Sequence, residues 1–375
     1  MPLERVSLVI GGLGTGGSEQ QVRILAAGLA RSDIHVTLIV LNPGTWETDE
    51  LNAAGVGVRV LPQTLARGPG RLWRLATELR AARPQVVYSM LPLANVMAAV
   101  ARGAVPDARL VWGVRGSDRS VDVYPWRIRL LRRLHVALAG HPDLTICNSL
   151  AGAEAHKRAG GDPARTVVVR NALLTDRFCF DPVGRQQVRT EWGAGDSDVF
   201  ALVGNLDPVK GHEHFLLAAA LVVGHSDRAR FVVVGDGPAS RRHALQALAS
   251  DLGLGERVRF TGVRTDLVAV YSASDVVVSA STSEGLPNVL AEAMACERVC
   301  VATDVGDSSW LLDDTGLLVP SATSASLANA MCKAAGLTQP ERDEIGRRGR
   351  ARVCRELSAD TMIERTRSCL EDLVA

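Results

Sequence analysis

Ser274-Asp275-Val276-Val277-Val278-Ser279-Ala280, followed two residues later by Ser283-Glu284-Gly285-Leu286-Pro287-Asn288-Val289-Leu290-Ala291-Glu292-Ala293-Met294, spells a strand, a loop and a helix. The apolar run is short and β-branched, as expected of a buried strand. The Gly-Leu-Pro break ends it, and Pro287 suits the first position of the helix that follows. A strand feeding a helix through a short loop is the repeating unit of a parallel α/β sheet.

Two glutamates seven residues apart bracket that loop. The amides of Asn288, Val289 and Leu290 lie in the first turn, where an α-helix has no carbonyl partners of its own, and they add to the helix dipole. An anion suits that position. Glu292 falls about one turn in, roughly 6 Å further along at ~1.5 Å per residue. One anion and two carboxylates fit a sugar nucleotide, with phosphates on the amides, sugar hydroxyls on Glu284 and ribose hydroxyls on Glu292. A surface glutamate and an amphipathic-helix glutamate would give the same spacing.

Outward from this unit the same alternation runs through the whole chain. Strands are expected at Val6–Ile10, His35–Leu41, Val56–Leu61, Val86–Ser89, Arg109–Val114, Asp143–Cys147 and Thr166–Val169. A second set follows at Val199–Val203, Arg230–Val234, Arg257–Thr261, Asp275–Ser279, Val299–Ala302 and Leu317–Val319. Ala-, Leu- and Arg-rich helical segments separate most of them. At 375 residues the chain exceeds one ordinary core, so two doubly wound, Rossmann-like domains with a cleft between them are expected. The pattern breaks near Asn171–Val183, where Asp181-Pro182 and Gly184 interrupt it. The expected division is residues 1–175, residues 176–357, and a last helix over 358–375 that returns toward the first domain.

The first strand runs into Gly11-Gly12-Leu13-Gly14-Thr15-Gly16-Gly17. Gly12, Gly14 and Gly17 satisfy G-x-G-x-x-G, which raises a nicotinamide-dependent reading. That reading wants an acid after the second strand, and Leu41-Asn42 stands there instead. What remains is a glycine loop that a phosphate or sugar can approach closely. The second set of strands opens with Val203-Gly204-Asn205-Leu206-Asp207-Pro208-Val209-Lys210-Gly211-His212. Lys210, at the carboxyl edge of a parallel sheet, is placed to meet a diphosphate. Lysine is scarce here, at positions 157, 210 and 333 only. Asp196-Ser197-Asp198 has metal-site spacing but precedes a strand instead of following one. His212-Glu213-His214 would point its two imidazoles about 200° apart on a helix, so polarity at a helix start is the simpler reading.

The net charge of +1 hides an asymmetry: residues 1–175 carry 21 Lys+Arg against 13 Asp+Glu, and residues 176–375 carry 21 against 28. The first half therefore suits an anionic partner. Nucleic acid is excluded as that partner, since aromatic residues are only 4% and no basic stripe is interleaved with them. Tyr124–His135 combines Arg127, Arg129, Arg132 and Arg133 with apolar neighbours at helical spacing, as a helix lying on an anionic membrane surface would. A solvated arginine face is the plainer alternative. Seven scattered cysteines without C-x2-C pairs are expected to be reduced packing thiols. No apolar run reaches the ~18 residues of a membrane span, and the chain enters a strand directly, so a cytoplasmic protein, peripheral at most, is expected.

Taken together, GGLGTGGSEQ, NSLAGAEAHKRAG, GNLDPVKGHEHFLLAAA, FVVVGDGP, VRFTGVRTDL, SEGLPNVLAEAMA and TGLLVP, in this order, resemble the retaining nucleotide-sugar glycosyltransferases of family four, which share the GT-B architecture. The resemblance covers nearly the whole chain. It implies that Glu284 contacts the donor sugar, with the backbone from Gly285 through Leu286 and Pro287 to Asn288 near sugar and phosphates and Val289 among the donor-binding residues. It implies that Glu292 holds the ribose, that Lys210 neutralises the leaving diphosphate beside Asn205, that Val263 and Arg264 flank the nucleobase, and that Gly16 and Gly17 close over the donor. A UDP-sugar as co-substrate, no metal or other cofactor, and a lipid-linked or saccharide acceptor in envelope polysaccharide or glycolipid synthesis are implied likewise.

Three departures stand out. Asn205 occupies a position where arginine is common, Arg115 replaces a usual histidine as an electrostatic group unable to act as a base near neutral pH, and Glu297 and Asp307 stand where glycines are frequent. Asn205 and the absent histidine motivate a sugar-nucleotide binder without catalysis; a soluble acceptor, and a donor-consuming epimerase or hydrolase on the same architecture, stand beside it as alternatives.

Overall fold

The computed structural model describes residues 2–14, 17–42, 44, 48–62, 69–115, 126–320 and 323–375. The chain divides into two compact units, one formed by residues 1–172 with 359–375 and the other by residues 173–358.

Unit 1 is built on seven parallel strands: β1 (Arg5–Ile10), β2 (His35–Val40), β3 (Gly57–Val60), β4 (Val86–Met90), β5 (Arg109–Val114), β6 (Leu144–Cys147) and β7 (Thr166–Val168). Their order across the sheet is β3-β2-β1-β4-β5-β6-β7. Side chains alternate between two cores, because successive strand residues point to opposite faces. Val6, Leu8 and Ile10 of β1 pack with Val22, Leu25 and Leu29 of the helix Gly17–Ala30. Val9 packs on the other face with Leu75, Leu79 and Ala98. With helices on both faces β4 is buried at every position, which is why it shows no apolar-polar alternation, and its one hydroxyl-bearing aliphatic residue, Ser89, is hydrogen-bonded inside.

The last helix, Ala359–Val374, completes the first of these cores. Met362 and Leu370 are buried in it. Gly28 makes room for it: a Cβ there would lie 2.3 Å from Ile363 Cδ1. Gln21, buried on the first helix, grips the backbone at the unit's edge, its Nε2 donating to Ala172 O at 2.7 Å and its Oε1 accepting from Ala172 N at 2.6 Å.

Unit 2 has six parallel strands: β8 (Asp198–Val203), β9 (Ala229–Val234), β10 (Val258–Gly262), β11 (Val276–Ser279), β12 (Val299–Thr303) and β13 (Leu317–Val319), in the order β10-β9-β8-β11-β12-β13. Phe200 and Phe231 stack at 5.5 Å between centroids, and Phe215 meets Phe231 edge-on at 6.0 Å. Asp181-Pro182, which punctuates the sequence, starts a helix within this unit. The Asp181 carboxylate accepts from the amides of Val183 and Gly184, and Gly193 at φ 62° ends the helix.

All thirteen strands expected from the sequence are present. Each sheet order reverses direction at one point, between β1 and β4 in unit 1 and between β8 and β11 in unit 2. Loops leaving the carboxyl ends of those paired strands diverge there and open a crevice, the usual ligand position in such sheets.

Candidate functional site

At the reversal of unit 2, β8 delivers Lys210 and β11 delivers Glu284. Lys210 closes a single 3-10 turn, Pro208–Lys210, which Asp207 caps by accepting from Val209 N at 3.0 Å. Gly211 ends that turn at φ 67°, and a Cβ there would lie 1.9 Å from Ala280 O, so only glycine lets the two loops touch. Thr282 N donates to Val209 O at 2.8 Å across the same seam. The Lys210 ammonium consequently reaches Glu284, donating to Oε1 at 2.6 Å, and Ser281 Oγ donates to that oxygen at 2.7 Å.

The Glu284 backbone is held from the next strand. Asp307 N donates to Gly285 O at 2.8 Å. Gly306, at φ 62°, approaches so closely that a Cβ would be 2.4 Å from the same carbonyl. Asp307 itself is at φ −94°, which explains why a side chain is accommodated where a second glycine is frequent.

The helix after this loop begins at Asn288, one residue later than expected, with Pro287 just outside it at φ −77° and ψ 95°. Its carbonyl accepts from Leu290 N at 3.1 Å. Leu290 is thereby removed from the expected amide set, because the first turn tightens to bond three residues ahead. Val289 and Asn288 are half-buried, whereas Gly285, Leu286 and Pro287 are buried. Glu292 is only 8% exposed, and its Oε2 accepts from Tyr271 Oη at 2.6 Å. Burial pushes this carboxyl up to about 7, against the smaller opposing pull of the Tyr271 hydrogen bond and of Arg177.

The remaining expected positions in unit 2 lie at the ends of neighbouring strands. Asn205 is exposed directly after β8. Val263, after β10, is 66% exposed. The Arg264 guanidinium is engaged by Asp266 at 2.7 Å and Glu191 at 2.6 Å, and those carboxylates raise its pKa further. His212 opens the helix His212–Val223, where the sequence placed a helix start, yet the ring has no exposed surface, neither nitrogen has a hydrogen-bond partner, and burial lowers its pKa to about 4. Glu213 pairs instead with Arg241.

In unit 1, Gly17 opens the first helix, while Gly16 lies outside the described residues. Arg115 follows β5. Its Nη1 donates to Asn171 Oδ1 at 2.6 Å and its Nη2 to Tyr88 Oη at 3.4 Å. Gly116, Ser117, Asp118, Tyr124 and Pro125 lie outside the described residues. The helix Trp126–Ala137 buries no side chain fully. Trp126, Leu130 and Leu134, four residues apart and therefore on one stripe, are 63%, 48% and 45% exposed. Arg127, Arg129 and Arg133 are exposed beside them and Arg132 is half-buried.

Sequence reading missed four participants. Tyr271 reaches Glu292 through packing between two helices, and a tyrosine inside an apolar helix, which must find a partner for its hydroxyl, was the available signal; Ser281 lies only three residues before Glu284 in the same loop. Leu91, directly after β4 at the reversal of unit 1, adopts φ 74°, a conformation costly for a side chain with a Cβ. The buried Asn95, whose Oδ1 accepts from Ser89 Oγ at 2.9 Å, contacts His135 Nε2 at 3.1 Å, and that ring stacks on Trp112 at 4.7 Å. Among the described residues no group of three or more His, Cys, Asp or Glu side chains is placed to hold a metal ion.

Residues 16–172 match the family described as glycosyl transferase 4-like domain, and residues 197–336 match glycosyl transferases group 1. D-inositol 3-phosphate glycosyltransferase of Gordonia bronchialis is 35% identical over 204 residues, which are 51% of this chain and 44% of that protein. Alpha-D-kanosaminyltransferase of Streptomyces kanamyceticus is 33% identical over 175 residues, 45% of each chain. The chain thus spans less than half the length of these curated relatives. Among solved structures, Anabaena HepE in complex with UDP-glucose superposes with a TM-score of 0.84 at 23% identity, covering 98% of this chain and 99% of that one. Sucrose-phosphate synthase from Thermosynechococcus elongatus gives 0.82 at 21% identity, covering 99% of both chains. At such identities these two likenesses establish a shared fold.

Proposed function

From the premise that the chain belongs to the 4-like, group 1 glycosyltransferases, we propose that it is a retaining enzyme moving a sugar from a nucleotide diphosphate sugar, UDP-linked in the first instance, to an acceptor hydroxyl without a metal. The observation that carries this reading is the Lys210–Glu284 ion pair at 2.6 Å, set at the sheet reversal of unit 2. A diphosphate entering there gives Lys210 a second anion. As the bond from the anomeric carbon to the diphosphate oxygen breaks, negative charge grows on that oxygen. A fixed ammonium, already in place, stabilises it without reorganisation.

Glu284 then serves the donor sugar, with its Oε1 fixed by Ser281 and Lys210. The backbone from Gly285 to Val289 lies beside sugar and phosphates, Glu292 accepts from the ribose, and Val263 and Arg264 border the base. In the proposed step the acceptor oxygen bonds to the anomeric carbon on the face the diphosphate leaves, and the hydroxyl proton passes to the departing phosphate oxygen. The glutamates are not the acid and nucleophile of a retaining hydrolase.

Unit 1 bears on the acceptor class. Its basic balance and the exposed Trp126-Leu130-Leu134 stripe, flanked by Arg127, Arg129 and Arg133, support a lipid-linked acceptor at an anionic membrane surface. No helix among the described residues is long and apolar enough to cross a membrane. The names of the curated relatives favour a second reading, a soluble acceptor such as a sugar or cyclitol phosphate. Sedimentation with phosphatidylglycerol vesicles at low salt separates the two: binding that is lost in phosphatidylcholine, and in Trp126→Ala with Arg129→Ala, supports the lipid reading. No binding favours the soluble one.

Thermal-shift measurements with UDP-, GDP-, ADP- and dTDP-sugars test the donor assignment. A donor at 100 times its dissociation constant stabilises the fold by about 2.7 kcal/mol. Loss of that shift in Glu292→Ala, with the variant still folded, supports the assignment. Stabilisation by none of the four overturns it.

A further inference from the structure

Tyr271 is wholly buried in the helix Leu267–Ala273. Its ring lies 6.3 Å from that of Phe178. The Phe178 carbonyl is held in turn by Arg350 Nη1 at 2.8 Å. This packing aims the phenol at Glu292, where it donates to Oε2 at 2.6 Å. Among the described residues the carboxylate makes no other hydrogen bond and no ion pair. One oxygen is therefore committed to the protein, and the other is left for a ligand.

We propose that Tyr271 is a positioning residue for the donor: by fixing Oε2 it orients Glu292 so that the remaining oxygen accepts a ribose hydroxyl, and it couples donor affinity to loss of one proton from the buried carboxyl. The inference rests on the donor site described under the proposed function. A neutral carboxyl offers one hydroxyl donor where the ribose needs an acceptor. Burial with a single neutral hydrogen-bond donor disfavours the charged form, and the carboxyl accordingly sits near 7.

The groups facing it leave it as the residue that titrates near neutrality. Tyr271 is pushed well above its usual range and remains a donor. The Cys296 and Cys300 thiols are each raised to about 12 by burial and stay neutral. Arg177, exposed on the segment that carries Phe178, favours the ionised carboxylate without a direct contact.

The test is calorimetric titration of UDP into wild type, Tyr271→Phe and Glu292→Gln between pH 6 and pH 9. Glu292→Gln supplies the baseline for protonation of UDP itself. Relative to it, wild-type affinity is expected to rise about tenfold from pH 6 to pH 8, following the ionised fraction of a group near 7. Tyr271→Phe should move the midpoint of that rise upward, bind several-fold more weakly at pH 8, and approach wild type at pH 9. An unmoved midpoint in Tyr271→Phe would overturn the positioning role, since a residue that only packs would weaken binding equally at every pH.

Unfolding curves without ligand keep the pair and the donor site distinguishable. A carboxyl raised in the fold holds a proton that the unfolded chain has lost, so stability falls as pH rises from about 4 to about 7. Glu292→Gln should lack this component, and Tyr271→Phe should extend it to higher pH. If UDP fails to bind wild type while these curves behave as stated, the donor reading is wrong and the proton-holding pair stands. If the curves of wild type and Glu292→Gln run parallel, the coupling itself is wrong.

Discussion

Each sheet presents a cation close to its reversal, and the two are treated differently. Lys210 of unit 2 lies 2.6 Å from a carboxylate, which Ser281 also holds. Arg115 of unit 1 has only neutral hydrogen-bond partners among the described residues, Asn171, Tyr88 and Met90. In a site of reduced dielectric a paired ammonium projects little field until a second anion competes for it, whereas an unpaired guanidinium projects its charge continuously. The difference teaches a division of labour. Under the proposed function, unit 2 would hold a charge ready for chemistry and unit 1 a charge that attracts an anionic acceptor.

The sharpest way to break this division is Lys210→Ala. If Lys210 stabilises the leaving diphosphate, kcat should fall by about 10² to 10³-fold, the effect of deleting one preorganised donor, with a smaller change in donor KM. Steady-state rates of nucleotide release measure it; a change in KM alone would reduce Lys210 to ground-state binding. Next in size is Gly306→Ala, which places a Cβ 2.4 Å from Gly285 O at a positive φ. It should cost about 2 kcal/mol or more in denaturant titrations and loosen the Glu284 loop, so that activity falls further than stability. Arg115→Ala should lower acceptor kcat/KM about tenfold, the scale of one lost charge contact of ~1.4 kcal/mol, and leave UDP affinity unchanged. Loss of UDP affinity instead would erase the distinction between the two cations.

The smallest effect concerns strain. Glu297 follows the helix Asn288–Ala295 at φ 60°, a left-handed position where glycine is at ease and a side chain costs roughly 1 kcal/mol. Glu297→Gly should therefore raise the thermal midpoint modestly. The corresponding strained residue of unit 1, Leu91 at φ 74°, sits at the sheet reversal itself. If Leu91→Gly stabilises the protein but lowers activity and Glu297→Gly only stabilises, the strain at the reversal has a function and the strain behind the helix does not.

The strands were legible because parallel strands covered on both faces must be apolar along their length, and a run such as Val276–Ser279 has no other simple use. Lys210 and Glu284 stood out as candidates because loop residues at the carboxyl ends of such strands are few, and Glu292 because it lies in the helix that follows. What stayed hidden depends partly on neighbours far away in sequence and partly on how the loop turns. No local pattern tells that Ser281 shares Glu284 with Lys210, that Tyr271 faces Glu292, or that Leu290 spends its amide on Pro287. His212 stands at a helix start as read, but only the fold shows that its ring is buried. Glu297 was visible as a departure from a frequent glycine, but only the backbone angle turned that oddity into a cost.

The assignment of the last helix to unit 1 bears on how the protein is made. Unit 2 is a continuous stretch, complete once residue 358 has been synthesised, whereas unit 1 waits for Met362 and Leu370 to fill its first core. Chains usually fold from the amino end as they emerge. Here the order is nested: the inner unit can close on the ribosome while the outer one still exposes Val22, Leu25 and Leu29. Until the helix Ala359–Val374 has emerged, Gly28 faces the empty place of Ile363, and a nascent chain stalled before residue 359 would be a target for chaperones through its amino-terminal half alone.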